Sequence, residues 1–210
     1  MHFQLKKIIP NIVLDYLQKR RYQQKHSRFT GKSTKVIFNT IHQENTWGST
    51  DTASGQGSTL ELCSNAIALL TELIGRYELH SILDLPCGDF NWMQEVPLTN
   101  IKYLGGDIVQ ALIDQNTQHF GTERIQFQQL DLLEDTLPQV DLILVRDCLV
   151  HFSYEDCFKA IKNLKRSKST YLLTTTFPKQ KINYDINTGD WRPINLRKKP
   201  FHFPAPLIQK

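Results

Sequence analysis

The chain predicts an α/β fold: a doubly wound, mostly parallel sheet with helices on both faces. Three observations carry this. Ser81-Ile82-Leu83-Asp84-Leu85 is a short apolar stretch that closes on a carboxylate and is broken by Pro86, Cys87 and Gly88. In open α/β sheets a turn of that kind, at the carboxyl end of the first strand, is where a nucleotide-like ligand sits. Three later stretches also run onto an acid: Tyr103 to Asp107, Gln129-Leu130-Asp131, and Asp141 to Asp147. The last contains Leu142-Ile143-Leu144-Val145, four apolar residues in a row, as expected for a strand covered on both faces. Helical patterns alternate with these stretches, which implies right-handed crossovers.

The elements follow in order. Asn11 to Gln24 reads as a basic helix with an apolar stripe of Ile12, Val13, Tyr16 and Leu17. Gly31-Lys32-Ser33-Thr34 resembles the end of a phosphate loop, but His26 stands where the upstream glycine belongs and no apolar strand precedes it. Asn45 to Gly57 is rich in Gly, Ser and Thr and reads as a loop. A flexible linker and a lid are its two readings; Trp47, costly to leave in a linker, favours the lid. Ser58-Thr59-Leu60-Glu61 reads as a capping box opening a helix to about Arg76, with Leu62, Ala66, Leu69, Leu70, Leu73 and Ile74 on one face. Strand Ser81–Leu85 follows. Phe90 to Val96 reads as a short helix stopped by Pro97, with Asn91 and Trp92 in its first turn. The remaining strands are Ile101–Gly106, Ile125–Leu130, Val140–Arg146 and Thr170–Phe177. Helices are expected over Ile108–Phe120 and from Ser153 to about Lys165, the latter capped by the pair Ser153 and Asp156.

The bulk numbers bound the class. The 210 residues suffice for one domain with a core plus extensions. No apolar run approaches bilayer-spanning length. Pro10, Asn11 and Asp15 interrupt the apolar start, so it makes a poor signal peptide. Cys63, Cys87, Cys148 and Cys157 lack paired metal-type spacing; reduced thiols in a cytoplasmic protein, and no metal, are the expectation. The net charge of +4 is uneven. Residues 1–35 carry +8 and 192–210 carry +5, leaving −9 between them. Basic arms can meet nucleic acid or anionic lipid, although solvated flanks on an acidic domain are the simpler reading.

The residues Asp84-Leu85-Pro86-Cys87-Gly88-Asp89-Phe90 and the acids that follow resemble class I S-adenosylmethionine (SAM)-dependent methyltransferases. Asp84 matches the acid of that superfamily's acidic-x-Gly-x-Gly-x-Gly loop and Gly88 its central glycine. Pro86 stands at the first glycine and Phe90 at the third. The landmarks span Ser81 to about Pro178. With Trp47-Gly48-Ser49 upstream, this form of the loop resembles a bacterial branch. The resemblance implies a Rossmann-like domain over 45–178 with an N-terminal lid loop, a basic extension over 1–44 and a C-terminal flap over 179–210. The superfamily's usual terminal antiparallel hairpin has no obvious counterpart in 178–210, where Trp191 to Leu196 and Pro200 to Pro204 look Pro-stiffened.

SAM is the implied cofactor. Asp107, 23 residues after Asp84, is placed to accept from both ribose hydroxyls. Ile108 follows it beside the cofactor, and Asp131 and Leu132 are placed at the adenine. Asp84 steadies the turn and meets the ammonium end. Pro86 offers no N–H, so the loop relies on Cys87 to Phe90 for donors, while Gly88 lets backbone approach the ligand. Arg146 pairs with a carboxylate or an anionic substrate. For Asp107 and Asp131, helix capping is the competing role. Asp89 either caps the short helix or faces the substrate. Asp147 and His151 follow the fourth strand at the expected edge of the acceptor pocket, His151 as a proton acceptor titrating near working pH, with packing beside Phe152 as its other reading. Trp47, Asp89, Trp92 and Trp191 complete the substrate side. The implied reaction is methyl transfer, with O-methylation of a small molecule or saccharide favoured. A catalytically inactive binding module of the same fold is the alternative. Pro86-Cys87-Gly88-Asp89 does not supply the nicotinamide fingerprint, and the absent Asn/Asp-Pro-Pro-aromatic motif argues against nucleic acid.

Overall fold

The computed structural model describes residues 27–47 and 52–208. The helix expected over Asn11–Gln24 lies outside them. Five strands form one sheet: β1 (Ser81–Asp84), β2 (Lys102–Asp107), β3 (Ile125–Gln129), β4 (Leu142–Val145) and β5 (Tyr171–Thr174). Their order is β3-β2-β1-β4-β5, and all four pairings are parallel. The direction of winding reverses between β1 and β4, so the carboxyl ends of β1, β2 and β4 open on a crevice at the switch point. Among the described residues four helices accompany the sheet: α1 (Thr34–Gln43), α2 (Leu60–Arg76), α3 (Gln110–Phe120) and α4 (Tyr154–Arg166). No antiparallel hairpin follows β5 among the described residues.

The two central strands show why an unbroken apolar run is needed. Successive side chains point to opposite faces. Ile82, Leu142 and Leu144 enter one core with Leu70 and Leu73 of α2, whereas Leu83, Ile143 and Val145 enter the other with Cys157, Ala160 and Leu164 of α4. At the far end, Asp141 accepts from the N–H groups of His80 and Ser81 at 2.8 and 2.9 Å, joining the starts of β4 and β1.

Several local expectations need correction. The Ser58–Glu61 capping box does not form: Thr59 is the N-cap of α2, without a side-chain bond, and Ser58 belongs to a 3-10 turn over Gln56–Ser58. The loop approaches the strand tips there, and Ser58 is drawn to Arg146 instead. Leu62 is 63% exposed, so the buried face of α2 is rotated toward Cys63. The helix expected over Phe90–Val96 shrinks to a 3-10 turn, Met93–Glu95. Phe90 sits at φ 58°, the left-handed region, which prevents a helix from starting there. Its ring is buried against Tyr103, Phe120 and Phe127, away from the crevice. Conversely, the capping pair Ser153–Asp156 is present, with the Asp156 N–H donating to Ser153 Oγ at 3.1 Å.

Helix α1 was not anticipated from the sequence. Ser33, set aside there as part of a false phosphate loop, is its N-cap, and Ile37 and Ile41 are its buried pair one turn apart. The chain after β5 joins the second core as well: Ile194 is fully buried, and Leu196 and Phe201 pack with it beside α4. Ile194→Ala should therefore cost about 2–5 kcal/mol in urea unfolding, as a buried strand residue would. A loss below about 0.5 kcal/mol would detach this segment from the core.

Candidate functional site

A cavity of about 310 Å³ opens at the switch point. Every residue singled out from the sequence lines it: Asp84, Pro86, Cys87, Gly88, Asp89 and Trp92 after β1, Asp107 and Ile108 after β2, Asp131 and Leu132 after β3, Arg146, Asp147 and His151 after β4, and Trp47 and Trp191 from the flanking segments. The structure adds Thr34, Phe38 and His42 from α1 and the loop from Ala53 to Ser58.

The first turn is held by the protein itself. Cys87 N–H donates to the Gly106 carbonyl at 2.8 Å. Gly88 N–H donates to Asp107 Oδ2 at 3.1 Å, Asp89 N–H to Ser54 Oγ at 3.3 Å, and Phe90 N–H to the Cys87 carbonyl at 3.3 Å. The donors expected to face a ligand are thus engaged within the fold. Asn116 of α3 fixes the Gly88 carbonyl at 2.8 Å. Gly88 adopts φ 57°, and a Cβ there would collide with Ser54 Oγ. The turn and the neighbouring loop thus demand glycine here, at a position that also lines the cavity.

Asp89 holds that loop. Its carboxylate accepts from Thr52 Oγ1 at 2.6 Å, the Ala53 N–H at 2.7 Å and Ser54 Oγ at 3.3 Å. Arg146 fastens the next stretch, donating to the Gly57 carbonyl at 2.6 Å while stacking 5.5 Å from Trp92 and pairing with Asp147 at 3.3 Å.

The strand-tip acids are unusual in their surroundings. Asp84 is buried and accepts from Tyr103 Oη at 2.8 Å; burial pushes its carboxyl up to about 7. Asp107 is buried and accepts from the Val109 and Gly88 N–H groups, but burial still raises it to about 6. Burial raises Asp131 too, against the Leu133 N–H bonded to its Oδ1 at 2.8 Å. Neither acid caps a helix, the competing role weighed from sequence: Asp107 and Asp131 each bond the N–H two residues on, the helix after β2 has Val109 as its N-cap, no helix lies between Asp131 and β4, and both acids line the cavity.

His151 lies in a 3-10 turn, Leu149–His151. Its ring Nδ1 is 2.8 Å from the Asp190 carbonyl. A carbonyl only accepts, so Nδ1 carries the proton and Nε2 keeps the lone pair. Burial pulls the imidazole down to about 4. The expectation that it titrates near working pH is corrected: it is neutral there. Trp47 lies over it, ring centroids 4.9 Å apart. The turn is braced by the C-terminal segment. Gly189 N–H donates to the His151 carbonyl at 2.8 Å, and Arg192, fully buried, sends Nη1 to the Leu149 and Val150 carbonyls at 3.2 and 3.3 Å. Sequence alone did not single out Arg192.

No family model and no curated protein matches the chain. Its fold matches solved structures. Magnesium protoporphyrin IX methyltransferase from Synechocystis PCC 6803, a structure with bound SAM, is 15% identical over 74% of this chain and 82% of that one, with a TM-score of 0.51. An O-methyltransferase family protein from Burkholderia thailandensis is 15% identical over 87% of this chain and 60% of that one, TM-score 0.49. Human N-acetylserotonin methyltransferase is 19% identical, TM-score 0.42; the chain spans only 39% of its length. The sheet order and the Synechocystis match establish a Rossmann-like fold, shared with that methyltransferase.

The raised carboxyls set a sign for stability. Between about pH 4 and 7 folded Asp84 and Asp107 hold protons that an unfolded chain has released, so their contribution to stability falls as pH rises through that window. Asp84→Asn should raise Tm at pH 8 by at least about 2–4 °C, the shift that ~1 kcal/mol makes in a chain of this size. The gain should shrink toward zero near pH 4, which thermal melts across the range would check.

Proposed function

We propose that the chain is a SAM-dependent methyltransferase acting on a hydroxyl of a small molecule or saccharide. One observation carries the reading: five aspartates and one arginine line a cavity whose first-turn N–H groups are already engaged. A phosphate-bearing cofactor needs free N–H donors and positive charge. A nucleoside carrying an ammonium and a sulfonium needs carboxylates. In this reading Asp107 accepts from the ribose hydroxyls, Asp131 and Leu132 meet the adenine, Ile108 walls the sugar, and Asp84 faces the ammonium. A cation there replaces the proton that burial now favours on Asp84.

Methyl transfer breaks the carbon–sulfur bond, whose electron pair stays on a neutral sulfur, and forms a carbon–oxygen bond. The acceptor's proton goes to the His151 Nε2 lone pair, with Asp147 close enough electrostatically to favour the imidazolium. Trp47 over the imidazole and the Asp89-held loop exclude water and align the acceptor. A non-catalytic binding module of the same fold is the second reading; the low basicity of His151 favours it.

Calorimetry with S-adenosylhomocysteine, the demethylated product, tests the donor site. Binding is expected, about tenfold or more weaker in Asp107→Ala, where two hydrogen bonds to a charged group vanish. Affinity should be flat above pH 8 and fall as pH drops through about 7 and then 6, because Asp84 and Asp107 must release protons to meet the ligand. No heat at high micromolar ligand would discard the reading. His151→Ala should lower turnover at unchanged product affinity; unchanged turnover would leave His151 as packing.

A further inference from the structure

The cavity has two chemically different sets of lining groups. The acids of the strand tips are one. Rings are the other: Phe38 lies 6.5 Å from Trp47 and 5.9 Å from Phe152, Trp47 lies 4.9 Å from His151, and Trp191, 49% exposed, lines the cavity next in the chain to Asp190, whose carbonyl holds His151. Arg146 and Asp147, which also line the cavity, are 3.3 Å apart and neutralise one another. Resting on the methyltransferase reading, we infer that the acceptor is a flat, uncharged aromatic ring carrying a hydroxyl, stacked on the wall of Phe38, Trp47 and Trp191.

Ring faces suit flat π-systems by offset or edge contacts. Sugars also stack on tryptophan, but a saccharide brings several hydroxyls, each of which needs a partner once water is removed. Uncharged partners among the lining side chains are few. Ser54 and Ser58 already bond to Asp89 and Arg146. Beyond these and the charged residues, Thr34, His42 and Gln56 are the remaining polar side chains lining the cavity outside the aromatic run. A carboxylate acceptor would face a cavity with five acids. The proton acceptor fits the same class. His151, held down at about 4 by burial, is a weak base. A phenol, ordinarily near 10, releases its proton far more readily than an alkyl alcohol. The methyl carbon moves from the sulfonium sulfur to the phenol oxygen, the sulfur keeps the bonding pair, and the phenol proton passes to His151 Nε2.

The test uses the full chain saturated with S-adenosylhomocysteine, titrated with 2-naphthol and with methyl glucoside by calorimetry. 2-Naphthol should bind saturably at one site and methyl glucoside should not. Trp191→Ala, a half-exposed position whose loss leaves the core intact, should weaken naphthol by about tenfold with product affinity unchanged; Phe38→Ala should do the same. Preference for the glucoside, or naphthol binding indifferent to both variants, overturns the inference while the donor site stands. Failure of S-adenosylhomocysteine to bind at all removes the donor reading and this inference with it.

Discussion

Asp84 and Asp107 sit buried at the tips of adjacent strands, and among the described residues no cation pairs with either carboxylate. Burying a carboxylate is unfavourable unless donors or a cation offset it. The fold supplies donors: Tyr103 for Asp84, and two backbone N–H groups for Asp107. They are insufficient to keep either group at its ordinary value. Much of the surrounding architecture follows from holding these acids in place. Gly88 takes a left-handed conformation that lets its N–H reach Asp107, and Asn116 fixes its carbonyl. Stability is surrendered at the strand tips above the pH at which these carboxyls ionise.

The walls around that site come from outside the sheet. Asp89 and Arg146 hold the stretch from Thr52 to Ser58 against the strand tips by side-chain to backbone bonds. The segment from Gly189 to Arg192 clasps the turn bearing His151, fixing its tautomer through a carbonyl and its backbone through a buried guanidinium. A guanidinium donates to several carbonyls in one plane, which suits it to bracing a 3-10 turn whose carbonyls lack helical partners. The side chains that shape the mouth, Trp47 and Trp191, are thus carried by segments tied down independently of the sheet's own ladder.

Local sequence determined the sheet and the acids. Unbroken apolar runs mark strands buried on both faces, and an acid at or just past the end of each of β1 to β4 reaches the same crevice, because parallel strands present their carboxyl ends together. Those features are one-dimensional, and the places of Asp84, Asp107, Asp131 and Asp147 on the cavity are legible for that reason. Only the tertiary structure decided what depends on contacts across the chain. The capping box at Ser58 yielded to Arg146, 88 residues away. Gly88 proved to answer to Ser54, and Asp89 to the loop before α2. The helix carrying Phe38 was hidden by a motif that pointed elsewhere, and the proton affinity of His151 was set by how deeply Asp190, Trp47 and their neighbours cover it. Burial and long-range hydrogen bonding are sums over neighbours distant in sequence, so no local pattern encodes them.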